Sequence, residues 1–285
     1  MEADALLPWV FAIKMGFYSS ALFAAGIGLH AAISIIEPEN RQSVLRTAAI
    51  AALISAGFFA AKLLILNAQL GGSLGATFDT TTMGWTWRAQ SASALAAFAG
   101  AAALVAAWIS RTSAFALLGA VCISGSFALT GHTQALENPG IIPILVAAHV
   151  LIASFWIAAP VSLWPTSNLS EAALSARLYA FSAIALWVVP LLFLLGLYVA
   201  WVLAGGLQAM LHTDYGRLLV AKLGIATTAL AIGAANKVVV TRIISRDPYR
   251  GRKLLTTTLA VDAAMYLSAL ATIGMATTFT GPPES

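Results

Sequence analysis

The sequence predicts an all-α fold, a polytopic membrane helical bundle of about eight transmembrane helices, on three observations. Of the 285 residues, 60% are hydrophobic. Only 9% are charged, where a soluble domain carries roughly a quarter. The apolar residues also fall into runs close to the roughly 20 residues that a membrane helix needs. Together these exclude a soluble globular domain and imply a single integral membrane domain over residues 1–285.

Runs bounded by proline, glycine or charge place the helices at residues 8–36, 44–66, 85–109, 113–130, 141–163, 177–204, 218–241 and 254–279. The fourth is the shortest. The chain starts Met1-Glu2-Ala3-Asp4, whereas a secretory signal opens on positive charge, and no small-residue cleavage pattern follows. The first run therefore reads as a retained membrane helix. Loop one holds Arg41 and Arg46, loop three Arg111, loop five Arg177, and loop seven Arg242, Arg246, Arg250, Arg252 and Lys253. Loops two and four have neither Lys nor Arg, and loop six has Arg217 at its end. Odd loops are then cytoplasmic and even loops external, with both termini periplasmic. A net charge of +4 distributed in this way marks topology and the lipid bilayer as partner, with no nucleic acid.

A titratable group in hydrocarbon costs a few kcal/mol or more, so each one within a span is a functional candidate. Lys14, Lys62, Arg88 and Lys222 lie near the external ends of helices one, two, three and seven. They either snorkel to head groups or form a positive collar around an external vestibule. His30 lies toward the inner end of helix one, with Gly26 one turn earlier allowing close approach of another helix. His149 lies about 12 Å below the external end of helix five, with Trp156 on its face. It is either a ligand or a histidine bonded to a neighbouring backbone. Helix seven carries a small or polar stripe, Lys222, Ala226, Ala229, Gly233 and Asn236. Asp262 is the acid well inside helix eight, with Met265 and Tyr266 at i+3 and i+4. His30, Asn236 and Asp262 fall at similar depths and outline an inner site.

Cys122 is the single cysteine, so metal chemistry must rest on histidine, methionine and carboxylates. His132 ends helix four, and Met210 and His212 lie two residues apart in external loop six. A thioether beside an imidazole suits copper better than magnesium or calcium.

In order along the chain these features resemble the bacterial copper resistance D (CopD) family of inner-membrane proteins. The matching pieces are Gly131-His132, the run His149-Val150-Leu151-Ile152-Ala153-Ser154-Phe155-Trp156, the segment Thr213-Asp214-Tyr215-Gly216-Arg217-Leu218-Leu219-Val220-Ala221-Lys222, Asn236, and Pro282-Pro283. They are densest over residues 131–283. The resemblance implies a multi-pass protein of the bacterial inner membrane that moves copper ions, by uptake from the periplasm, beside a periplasmic CopC-like copper-binding protein. Asp262 stands where a glutamate is expected, which keeps the charge and shortens its reach.

On this reading the outer ligands are His132, His212 and Met210, with Met83 from loop two. His149 is a mid-depth station, and His30 with Asp262 an inner one. Stations of two or three ligands suit transport, which must strip water and still release. No nucleotide-binding loop is present, so an ATP-driven pump is not expected, and neither is an enzyme. The alternative is a membrane redox enzyme holding haem between paired histidines, best His132 with His149. A third reading is a scaffold or sensor that binds copper without moving it.

Overall fold

The computed structural model describes residues 3–69, 82–130, 140–166 and 169–280. Each predicted run becomes a helix: α1 Leu7–Ala32, α2 Pro38–Gln69, α3 Thr82–Ser110 and α4 Ser113–Ala128, then α5 Ile142–Ser162, α6 Glu171–Leu203, α7 Asp214–Ile244 and α8 Pro248–Thr280. Seven are long and apolar enough to cross a membrane by length and composition, and α4, at 16 residues, is shorter. There is no strand among the described residues. The protein is a polytopic helical bundle.

Several helices begin earlier than hydrophobicity indicates, because their first turns are polar and capped. Pro38 opens α2, where its fixed φ and missing N–H cost nothing. Ser170 accepts a hydrogen bond from Ala173 N at 3.2 Å and starts α6. Asp247 accepts one from Arg250 N at 3.1 Å and starts α8. Arg41, Arg46, Arg177, Arg250, Arg252 and Lys253, read from sequence as loop cations, are therefore helical. The first helix stops sooner than predicted. Ser34 takes a left-handed conformation (φ 60°), and Ile35 N reaches back to His30 O at 3.1 Å.

Alanine and glycine dominate the contacts between helices. The largest cluster joins Phe17 and Ile27 of α1, Phe59 of α2, Leu104 of α3 and Ile123 of α4 across a bed of buried alanines. Helix α1 packs against α2, α4, α5 and α8, and α7 packs against α8. At Gly26 a Cβ would strike the Ser154 carbonyl of α5 and lie 2.7 Å from the Ala158 Cβ. Large apolar side chains such as Leu53, Leu95, Ile109, Ile144, Trp187 and Leu194 point outward, as they do where lipid is the solvent.

Gly26→Ala must push α1 from α5 and is expected to cost about 1–3 kcal/mol, as overpacking does. Gly57, whose Cβ would meet nothing within 4 Å, is the control. Gly57→Ala should be neutral or stabilise by about 0.5–1 kcal/mol. Thermal melts of both variants in detergent test this, and equal melting temperatures would remove the close-contact argument.

Candidate functional site

Three levels of polar side chains run through the bundle. At the first, Lys14 of α1 donates to the Thr277 carbonyl of α8 at 2.7 Å. That carbonyl lies in the π-turn Ala276–Thr280, where wider hydrogen bonding loosens the helical ladder. Lys62 of α2 donates to Gln90 Oε1 of α3 at 3.3 Å and lies 5.0 Å above the Phe59 ring. Gln90 Oε1 also accepts from Thr130 at 2.6 Å. Both ammonium groups thus bind inside the bundle.

At the second level the His149 ring of α5 fills the space left by Gly196 of α6, where a Cβ would lie 2.7 Å from its Cε1. His149 Nδ1 stands 3.2 Å from the Leu192 carbonyl. A carbonyl only accepts, so Nδ1 carries the proton and Nε2 keeps its lone pair. The backbone-bonded reading of His149 is realised at Nδ1. Seven residues deeper, Trp156 meets Tyr266 of α8 with ring centroids 5.4 Å apart.

The third level holds His30, fully buried, with Nδ1 2.7 Å from Ser162 Oγ of α5 and Nε2 without a partner. Its ring meets Phe155 and Phe181 edge-on at 4.8 and 5.8 Å, and those two rings stack at 4.9 Å. Arg177 of α6 donates from Nη1 to the Ser162 carbonyl at 3.1 Å and from Nε to both Glu37 oxygens at 2.7 and 2.8 Å. Its Nη2 also bonds Glu37. The Arg177 guanidinium holds the Glu37 carboxyl below the usual carboxylate range, against the opposing effect of partial burial.

Asp262 of α8 is buried with Oδ1 unpartnered, and so is Oδ1 of Asn236 at the start of the α7 π-turn. Asp262 acts electrostatically on Tyr266, its neighbour one turn on. Along the helix-seven stripe, Ala226 and Ala229 pack into the Trp156–Tyr266 cluster, while Gly233 faces open space.

The structure separates Met210 from His212. Met210 is buried against Tyr215 and Leu219, whereas His212 is exposed, with Nδ1 2.9 Å from the Gln208 carbonyl of its own turn. His132 and the side chains of Met83 and Arg88 lie outside the described residues. Among the described residues, no three of His, Cys, Asp and Glu are grouped as a metal cage.

Sequence reasoning missed Glu37, Ser162 and Gly196. Glu37 pairs across 140 positions, a separation that no local pattern displays. Arg177 was noted only as a loop cation. Gly196, inside an apolar run, is the type of residue that marks close approach in a membrane helix.

A lipid-facing bundle with titratable side chains at successive depths defines a multi-pass membrane protein with a polar interior. Residues 175–276, about a third of the chain, match the family model of copper resistance protein D. This match supports a CopD-family protein, a membrane protein related to copper resistance. No curated protein and no solved structure matches the chain. The matched stretch contains Arg177, Gly196, Met210, His212, Lys222, Asn236 and Asp262, while Glu37, His30 and His149 lie outside it.

Because the folded state lowers the Glu37 proton affinity, its ion pair contributes stability above the ordinary carboxylate range and loses it as pH falls through the lowered value. Arg177→Ala leaves the carboxylate without its partner and should cost about 3 kcal/mol at neutral pH. The deficit of Glu37→Gln in melting temperature should hold constant from pH 7 to 5. It should shrink only below about pH 4. A deficit that does not change with pH would deny the pair this role.

Proposed function

We propose that the chain carries copper ions across the bacterial inner membrane, by uptake from the periplasm, in copper homeostasis and resistance. The observation that carries this reading is the CopD match over α6 to α8, together with the His149 ring that Gly196 and the Leu192 carbonyl seat on α6. A histidine whose Nδ1–H is held by a carbonyl has a fixed tautomer and a more basic Nε2, as in many metal ligands. Neutral imidazole accommodates copper, and the buried setting strips its water.

The arginine-rich end is assigned to the cytoplasm by the positive-inside rule. His212, at the opposite end, is exposed and is the proposed point of capture for an ion, whether free or handed over by a periplasmic CopC-like protein. His132 and Met83 remain proposed outer ligands, and Met210 would have to leave its buried position to join them. His149 is the mid-depth station. His30, Asn236 and Asp262 offer the inner ligand atoms, each with a nitrogen or oxygen without a partner.

Copper uptake into proteoliposomes tests the assignment. His149→Ala should slow transport at least tenfold. Gly196→Ala should slow it as well, by displacing the ring. His212→Ala should raise the copper concentration needed for half-maximal uptake and leave the maximal rate within twofold. Uptake by His149→Ala at the unmodified rate would sink this pathway. Haem absorption bands in the purified protein would favour redox chemistry instead.

A further inference from the structure

The arginines of the basic end divide into those the fold uses and those it leaves out. Arg177 is bonded to Glu37 and to the Ser162 carbonyl, and Arg41 to Ser113 Oγ. Arg252 donates to the Thr166 and Leu169 carbonyls and ties α8 to the segment before α6. By contrast Arg242 of α7, Arg246 of the α7–α8 turn, and Arg250 and Lys253 of α8 are exposed. None of these four enters an ion pair among the described residues. Between residues 237 and 253 stand six cations and a single acid, Asp247. That acid is taken up as the cap of α8, accepting from Arg250 N at 3.1 Å.

The packing of α7 on α8 fixes the level at which these charges stand. A Cβ at Gly251 would lie 2.6 Å from Ile244 Cα, and Val240 shares a buried cluster with Leu255. This antiparallel register puts Arg242 level with Lys253, and Arg246 level with Tyr249. Val238 and Val239, 58% and 49% exposed, lie one turn from Arg242 toward the middle of the span, about 5 Å along the axis. On α8, exposed Thr257 and Val261 stand one and two turns from Lys253 in the same direction. The outward, lipid-facing sides of both helices thus run directly into cations, which places the charges at head-group depth. Tyr249 is 82% exposed at this level, where a tyrosine sets its ring among head groups and its hydroxyl toward phosphate.

We infer that the α7–α8 turn is a binding site for an anionic phospholipid, with Arg242, Arg246, Arg250 and Lys253 around the head-group phosphate and Tyr249 beside it. Positive charge in any cytoplasmic loop orients a chain, but here it is gathered on adjoining helices whose axes are roughly 8–10 Å apart. Cations that close act together on one anionic head group, whereas isolated ones are screened. A soluble acidic protein would meet the outermost cations, Arg246 and Arg250, while a lipid meets all four. The site depends neither on copper nor on transport.

The test uses the full chain, purified and delipidated in detergent at physiological salt. Phosphatidylglycerol, phosphatidylcholine or inorganic phosphate is added, and retained lipid is counted by native mass spectrometry beside the thermal unfolding midpoint. Phosphatidylglycerol should bind at a concentration at least tenfold below phosphatidylcholine and raise the midpoint, and inorganic phosphate should do neither. Arg242→Gln with Lys253→Gln should weaken phosphatidylglycerol binding at least fivefold, whereas Arg242→Lys, which keeps the charge, should stay within twofold. Arg46→Gln with Arg111→Gln removes the same charge from exposed positions elsewhere at this end and should also stay within twofold. Where the first pair does not fold, Arg246→Gln with Arg250→Gln takes its place. Equal binding of the two lipids overturns the site. So does equal weakening by the Arg46 and Arg111 pair, which would report diffuse charge, or a matching effect of inorganic phosphate, which would report a site for free anions.

Discussion

The backbone contact between α1 and α5 at Gly26 sets the register on which the inner half of the bundle depends. Lipid tails are as apolar as leucine, so helices associate in a membrane through close packing and hydrogen bonds. Without a side chain at Gly26, the Ser154 carbonyl can lie directly against α1. One turn further along α1 comes His30, and two turns further along α5 comes Ser162, and these two meet in a 2.7 Å hydrogen bond. The linker that leaves α1 then delivers Glu37 to Arg177, which is itself bonded to the Ser162 carbonyl. A displacement of α1 at Gly26 would therefore be felt at an imidazole, a hydroxyl and an ion pair.

The buried polar groups divide by how completely they are engaged. Arg177 has all three guanidinium nitrogens bonded, and Lys14 and Lys62 have found acceptors within the bundle. By contrast, Asp262 and Asn236 each keep an oxygen without a partner, and His30 keeps a nitrogen. An unmet buried acceptor costs about 1–3 kcal/mol, so a fold retains several only where something offsets the cost. Carbonyl-type oxygens and imidazole lone pairs attract protons and metal cations and repel anions. Arg177, Lys14 and Lys62 thus join helices, while Asp262 and Asn236 keep oxygens that can accept.

Much of the fold was legible because hydrocarbon leaves the chain few choices. Every buried backbone group must be satisfied within its own segment, so each apolar run of sufficient length is a helix. The ends were harder to read. Capped, polar first turns such as those after Ser170 and Asp247 carry no apolar signal, and Arg177 consequently looked like a loop residue. The histidines and Asp262 stood out individually against an apolar background, and the role of Gly26 followed from its size. Their neighbours did not stand out. The seating of His149 on Gly196 depends on which helices are adjacent, and pairing of Met210 with His212 looked plausible in sequence although one turns into the core and the other outward. Adjacency across the bundle is a property of packing, to which hydropathy is blind.

The Glu37–Arg177 pair also bears on how the chain is assembled. Synthesis runs from the N-terminus, so α1, the linker and α2 are made well before α6 leaves the ribosome. Glu37 can wait in the linker, hydrated, at almost no cost. Arg177 arrives later, near the polar start of a helix otherwise rich in leucine and alanine, and finds a carboxylate already in place. The earlier half of the protein thereby supplies a partner for the later one, a contact that favours α6 settling against the α1–α2 linker and α5. The stretch that matches the CopD family begins two residues before this arginine. Expressed alone, that stretch would carry the cation without its counterion and would have lost the partner that guides it into the bundle.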